Sequence, residues 1–220
     1  APTFTGLLNE SYGSGAAAAY SVRRLNGNYT GAAIEVERTS DGTYQDIGFD
    51  VNGDLDESAL TTFCTGTTCK VRTWYDQSQT GGTGSGNDAE QTDDTKQPTI
   101  YTGGALVKQD GRVALDFDGT DDYIKTSDYI VELSQNAASV FAVSQSDALV
   151  NNQYLLSEGD NTDPYSSQFI LGGGGDLQGD IILWVNTTTF GVMQAGKRLS
   201  GFDYNQTTFQ AYLDGNTSGS

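Results

Sequence analysis

The chain has 220 residues, with 11 basic against 29 acidic side chains and a formal net charge of −18. That balance repels phosphate and excludes a sequence-independent grip on nucleic acid. No apolar run approaches the ~20 residues that span a bilayer, and no basic-then-apolar leader opens the sequence, so no membrane insertion is expected.

The length suits one large β-sandwich, and residues 1–220 are read as a single domain. Composition agrees: 28 glycines, 3 prolines and many Thr, Ser, Asn and Asp residues favour short strands joined by polar turns. Of the acids, 22 are Asp and 7 are Glu, which places the negative charge in loops. It serves there as a solubility device for salty or extracellular surroundings, or as a calcium-binding surface.

In chain order, alternating or short apolar segments predict strands at 32–38 (AAIEVER), 44–51 (YQDIGFDV), 69–75 (CKVRTWY), 97–101 (QPTIY) and 113–119 (VALDFDG). The series continues at 138–144, 153–158, 168–172, 181–186, 188–194 and 208–215. Between the second and third strands, DESALTTF (56–63) predicts one short helix, capped by Asp56, with Leu60 and Phe63 on one side. Residues 80–97 hold almost no apolar side chain and read as a long surface loop, and GGGGD (172–176) as a second bend. Eleven or more short strands with one helix predict an all-β sandwich of two antiparallel sheets.

Two cysteines, Cys64 and Cys69, stand in FCTGTTCK. A local disulfide that rigidifies a strand entry is the expected reading, against a pair of free thiols. Zinc is not expected, since no His and no further Cys exist to complete four ligands.

The segments AAAAYSVRRL (16–25), YTGAAIEVER (29–38), QDIGFDVNGDLDESALTTF (45–63), VRTWYDQS (71–78), QPTIY (97–101) and GRVALDFDGTDDYI (111–124) carry a resemblance. They resemble the concanavalin A-like, laminin-G-like module of bacterial surface proteins and of phage fibre or capsid-decorating proteins. The same stretch is similar to the start of the catalytic domain of the fungal arabinofuranosidase B family, most visibly in TTFCTGTTCKVRTWYDQS. Both resemblances imply a concanavalin A-like jelly roll. They divide on function, which a fold does not decide.

A glycosidase needs two carboxylates flanking the scissile bond. The arabinofuranosidase resemblance implies a nucleophile in an Asp-Leu-Glu-Asn segment and a pair of adjacent cysteines. This chain has neither: ILWVNTTTFG (182–191) offers Asn186 where a Glu is required. Glu158 and Asp180 are the later acids beside apolar strand residues that stand as substitutes. Without His there is no Ser-His or Cys-His pair, and the glycine runs lack the Lys-Ser/Thr of a phosphate loop.

The parts for sugar binding are present: an aromatic face and a few fixed polar groups. Trp74 and Trp184 are the aromatic candidates, each weighed against plain packing between sheets. Asp76 and Gln77, at a strand end, are the polar candidates, with Asp76 weighed against a turn cap. Asp116, Asp118, Asp121 and Asp122 surround Gly119 in DFDGTDDY and form the candidate calcium site, weighed against a tight turn. DVNGDLDE (50–57) is a weaker version. Five Asn-x-Ser/Thr sequons begin at Asn9, Asn28, Asn186, Asn205 and Asn216.

Modules of this kind follow the hairpin YLDG (212–215) with further strands. The chain therefore reads as a fragment of a longer protein or as a sandwich with an open edge for strand addition. These readings together predict a non-catalytic glycan-binding adhesion domain, extracellular or on a virion surface, with surface glycans and neighbouring surface proteins as partners. A glycoside hydrolase of the arabinofuranosidase type and a purely structural capsid-surface protein are the alternatives.

Overall fold

A computed structural model describes residues 5–8, 16–78, 86–127, 130, 138–146, 153–158, 169–173, 196–204, 209–213 and 216–218. The chain divides into two compact units, residues 1–130 and 131–220. Both are built from antiparallel strands, as the turn-rich composition predicts. No helix among the described residues is long and apolar enough to cross a membrane.

The first unit centres on β1 (Ile34–Arg38), β2 (Tyr44–Ile47), β3 (Cys69–Trp74), β4 (Ala89–Glu90), β5 (Thr99–Thr102) and β6 (Ala105–Leu106). Their sheet runs β2-β1-β3-β5-β6, with β4 paired to the end of β3. Alternation does what a period of two requires: Ile34 and Val36 of β1, Ile47 of β2, and Cys69 and Val71 of β3 are fully buried. Glu35, Glu37, Lys70 and Arg72 point the other way and are partly exposed. The register of β1 with β3 shifts between Glu35 and Val36, which leaves Arg72 as the extra residue of a bulge.

Against the buried face lies α1 (Glu57–Cys64), whose first turn is capped by the Asp56 carboxylate accepting from the Ala59 amide at 2.9 Å. Leu60 and Cys64, four residues apart, share the face turned to Ile34, Ile47, Val71 and Ile100. Phe63 is only partly buried, with the Arg38 guanidinium 5.6 Å from its ring centre. The Cys64–Cys69 disulfide forms as expected and joins the end of α1 to the start of β3.

Two strands are shorter than predicted. The segment 44–51 stops at Ile47 because Asp50 turns the chain, and 113–119 contributes only β8 (Arg112–Val113), paired to β7 (Lys108–Gln109). The β7–β8 hairpin turns on Asp110 and Gly111, both at positive φ (50° and 78°), the Asp-Gly signature of a two-residue turn. Part of the segment read as a surface loop is built into the unit instead. Ala89, Gln91 and Gln97 are buried, and a 3-10 turn spans Asp94–Lys96. Polar residues manage this because the Gln97 amide donates to Gln91 O (2.9 Å) and to Glu37 Oε2 (3.0 Å).

The second unit holds β9 (Ala138–Ser146), β10 (Gln153–Glu158), β11 (Phe169–Gly173), β12 (Gly196–Tyr204), β13 (Phe209–Leu213) and β14 (Asn216–Ser218). One sheet runs β14-β13-β12-β9, and β10 pairs with β11. β9 and β12 pair over their full nine residues. β12 was absent from the strand prediction because GKRLSGFDY is too polar and glycine-rich to show a period. The predicted strands 181–186 and 188–194 and the bend 174–176 lie outside the described residues.

Candidate functional site

Where β3 ends, the chain builds a polar knot. Asp76 is 1% exposed, and its carboxylate accepts from the amides of Ala19 (2.8 Å), Ser78 (2.9 Å) and Asn87 (2.9 Å) and from the Ser78 hydroxyl (2.8 Å). Gln77 is fully buried; its oxygen accepts from the Leu25 amide (2.8 Å), and its nitrogen donates to Ser21 O (2.7 Å) and Arg23 O (3.1 Å). Both side chains therefore tie residues 19–25 to the end of β3, and Asp76 also caps its own turn through the Ser78 amide. Gly86 sits against the Asp76 carboxylate so closely that a Cβ would overlap it.

Trp74 is partly buried against the core and meets Tyr20 at 5.9 Å between ring centres. Its Nε1–H has no acceptor among the described residues. Tyr20 donates to Asn87 O, and burial, followed by the charges of Asp76 and Asp88, pushes its phenol above the usual range. Trp184, with Asp180 and Asn186, lies outside the described residues.

The aspartate turn brings together three of its four candidates. Carboxylate oxygens of Asp118, Asp121 and Asp122 lie within 4.8 Å of one another. Asp116 is apart, its backbone paired with Thr99 through bonds of 2.8 and 2.9 Å. Asp118 Oδ1 accepts from the Thr120 amide at 2.7 Å and more loosely from those of Asp121 (3.2 Å) and Asp122 (3.4 Å). The Thr120 amide, chiefly, holds the Asp118 carboxyl below its usual range, while burial pushes Asp122 up. Gly119 takes φ 70° at the apex. Three hard oxygens are offered here, with Asp118 also committed to closing the turn. In the stretch 50–57 the acids are engaged as well. Asp50 accepts from the Asn52 (2.8 Å) and Asp54 (3.0 Å) amides, Asp54 pairs with Arg23 (2.8 Å), Asp56 caps α1, and Glu57 meets Lys108 (2.7 Å).

A third array, missed in the sequence reading, lies on the outer face of the six-stranded sheet. Arg72 reaches Glu35 at 2.6 Å and Glu90 at 3.0 Å, with its guanidinium 5.0 Å from the ring centre of Tyr44. Beside it the Tyr75 hydroxyl donates to Asp46 at 2.8 Å. The signal was the polar half of the alternation in IEVER and CKVRTW, read only for its apolar half.

A family model described as "Alpha-L-arabinofuranosidase B, catalytic" matches residues 8–153. The alpha-L-arabinofuranosidase B of Emericella nidulans is 41% identical over 86 residues, covering 38% of this chain and 16% of that protein. A probable alpha-L-arabinofuranosidase B of Aspergillus flavus is 41% identical over 76 residues, covering 34% and 15%. Among solved structures, a GH54 α-L-arabinofuranosidase soaked with a cyclic sulfate inhibitor aligns over 93% of this chain and 50% of its own at a TM-score of 0.67 and 21% identity. An arabinofuranosidase complexed with arabinofuranosyl-α-1,2-xylobiose aligns over the same shares at 0.60 and 19%. At these identities the structural likeness speaks for the fold.

The chain spans half the length of the solved structures, and the matched stretches cover about one sixth of the curated proteins. These matches overturn the expectation of a non-catalytic adhesion domain on a phage, virion or bacterial surface. The residues that carried the resemblance belong with a catalytic domain, and the expectation of no catalysis had rested on two absences, the Asp-Leu-Glu-Asn segment and the adjacent cysteines.

Proposed function

Because the chain belongs to the α-L-arabinofuranosidase B catalytic family, we propose that it forms part of a glycoside hydrolase that removes arabinofuranosyl residues from larger glycans. The match over residues 8–153 carries this reading. The jelly-roll sandwich is its scaffold, supported by the antiparallel strands of both units and the likeness in fold. The buried Cys64–Cys69 disulfide suits a protein working outside the cell.

Hydrolysis needs one carboxyl group to protonate the leaving oxygen and a second to attack or to activate water. We put in these two places Glu158, at the end of β10, and Asp180, which precedes the apolar run IILWV in the sequence. Trp74 and Trp184 remain the aromatic candidates for the sugar. Asp118, Asp121 and Asp122 remain the calcium candidates, with Asp116 as an outer member. No cofactor is required for two-carboxylate hydrolysis.

The test is turnover of 4-nitrophenyl α-L-arabinofuranoside by the purified chain, with calcium and with chelator. We expect release of 4-nitrophenol that falls at least about a hundredfold in Glu158→Gln and in Asp180→Asn, the scale of a lost general acid or base. No turnover by the parent chain would sink the reading. Undiminished turnover in both variants would sink the residue assignment alone.

A further inference from the structure

We propose that the outer sheet face around Tyr44 is a second carbohydrate-binding surface, holding a neutral oligosaccharide away from the reacting bond. The inference rests on the reading of the chain as a sugar-processing enzyme.

Tyr44 is 59% exposed although it is one of the large aromatic residues of the unit. It lies on β2, the edge strand of the sheet among the described residues. Arg72 rests 5.0 Å from its ring centre, which fixes the ring and occupies one side. The exposed remainder is a rigid apolar plate of the kind that receives the C–H side of a sugar.

Fixed acceptors surround that plate. Arg72 holds Glu35 (2.6 Å) and Glu90 (3.0 Å), and Tyr75 holds Asp46 (2.8 Å). A carboxylate has about four lone-pair sites, so the exposed Asp46 and Glu90 keep acceptors for hydroxyl groups after these bonds, while the largely covered Glu35 anchors Arg72. Glu35 and Asp46 are also direct cross-strand partners, a like-charge pairing that disfavours the sheet on its own. The bulge that frees Arg72 and the Tyr75 hydroxyl both serve this pair, so the surface is organised around keeping two carboxylates side by side, Glu35 largely covered and Asp46 exposed.

Charge and span define the ligand. Four carboxylates (Glu35, Glu37, Asp46, Glu90) face two cations (Lys70, Arg72), on a chain of net charge −18. Uronates and phosphorylated sugars are repelled, and neutral sugars are not. Tyr44 and Asp46, two residues apart on one strand, are separated by about 7 Å, more than one sugar ring, and the array continues to β4. An oligosaccharide of several neutral pentoses fits this reach.

The experiment is an NMR titration of the whole chain with arabinofuranosyl-substituted xylo-oligosaccharides, with oligogalacturonate as the charged comparison. We expect saturable binding of the neutral ligand, weakened about tenfold in Tyr44→Ala and preserved within about twofold in Tyr44→Phe. Tyr123→Ala, which removes a comparably exposed ring (42%), should leave binding unchanged. Turnover of the small chromogenic arabinoside, read in parallel, should be the same in all three variants. Equal affinity of Tyr44→Ala and the parent chain, absence of binding, or equal binding of oligogalacturonate would each overturn the proposal. Failure of turnover with Tyr44-dependent binding intact would strike the hydrolase reading and leave this surface standing.

Discussion

Asp76 and Asp118 are the same residue type at the mouths of two turns, and they do opposite work. Asp76 is buried and gathers amides from Ala19, 57 residues away, and Asn87, 11 residues away. Asp118 is exposed and accepts only from amides within four residues. The first carboxylate is a tertiary contact that joins separate stretches of chain, and the second closes a local turn that water could serve almost as well. Acid count therefore says little about an acid's task; burial and the sequence distance of its partners say most of it.

The sharpest way to break this comparison is to truncate both residues. Asp76→Ala leaves several buried amides without an acceptor and should cost about 3 kcal/mol or more in urea unfolding. Asp118→Ala should shift the midpoint only marginally. Equal losses would mean that the two turns are not different in kind. Next in size is Gly86→Ala, whose new methyl group overlaps the Asp76 carboxylate. The collision should cost about 2 kcal/mol, and the loss should shrink sharply when Asp76 is already Ala, because the two changes act on one contact. Smaller still is Asp56→Ala, which removes the cap from α1 and should cost about 1 kcal/mol. It should be additive with Asp76→Ala, since the two carboxylates share no partner in the hydrogen bonds described.

The same contrast explains what was legible in the sequence. β1, β3 and α1 could be read because their buried residues recur at the period of the element, as in Ile34 and Val36, although in α1 the fully buried companion of Leu60 is Cys64 and not the expected Phe63. The disulfide was legible from two cysteines in one short segment. Asp76 and Gln77 were picked out as special for their place after a strand, but nothing local shows that their partners are Ala19, Ser21, Arg23 and Leu25. Long-range hydrogen bonding leaves no periodic trace. The burial of Gln91 and Gln97 was missed for the same reason, since polar composition reads as loop unless the partner of each amide is known. The Tyr44 and Arg72 array needed the β1–β2–β3 register and a bulge before its members could be seen as neighbours. Catalysis was missed for a different reason: two absent features, the Asp-Leu-Glu-Asn segment and the adjacent cysteines, were weighed above a resemblance spread over several motifs.

The finest distinction lies inside the aspartate turn and shows itself only as pH dependence. The Asp118 carboxyl is held below its ordinary value of 3.8, chiefly by the Thr120 amide. Its contribution to stability is therefore complete above the unfolded value and is lost as pH falls through the lower folded one. The Asp122 carboxyl is raised, chiefly by burial, so its sign is reversed: ionising it in the folded chain is unfavourable, and the penalty grows as pH rises through its folded value. Replacing Asp122 by Asn should therefore make the chain relatively more stable at neutral pH, with the gain vanishing below about pH 4. Replacing Asp118 by Asn should make the chain slightly less stable at neutral pH, and that loss should disappear only below the unfolded value, as pH falls through the lower folded one. Urea midpoints measured from about pH 2 to about pH 7 test both. Parallel curves for the two variants would show that the neighbouring carboxylates titrate as one group, and a gain in Asp122→Asn that calcium reverses would show a cation seated among Asp118, Asp121 and Asp122.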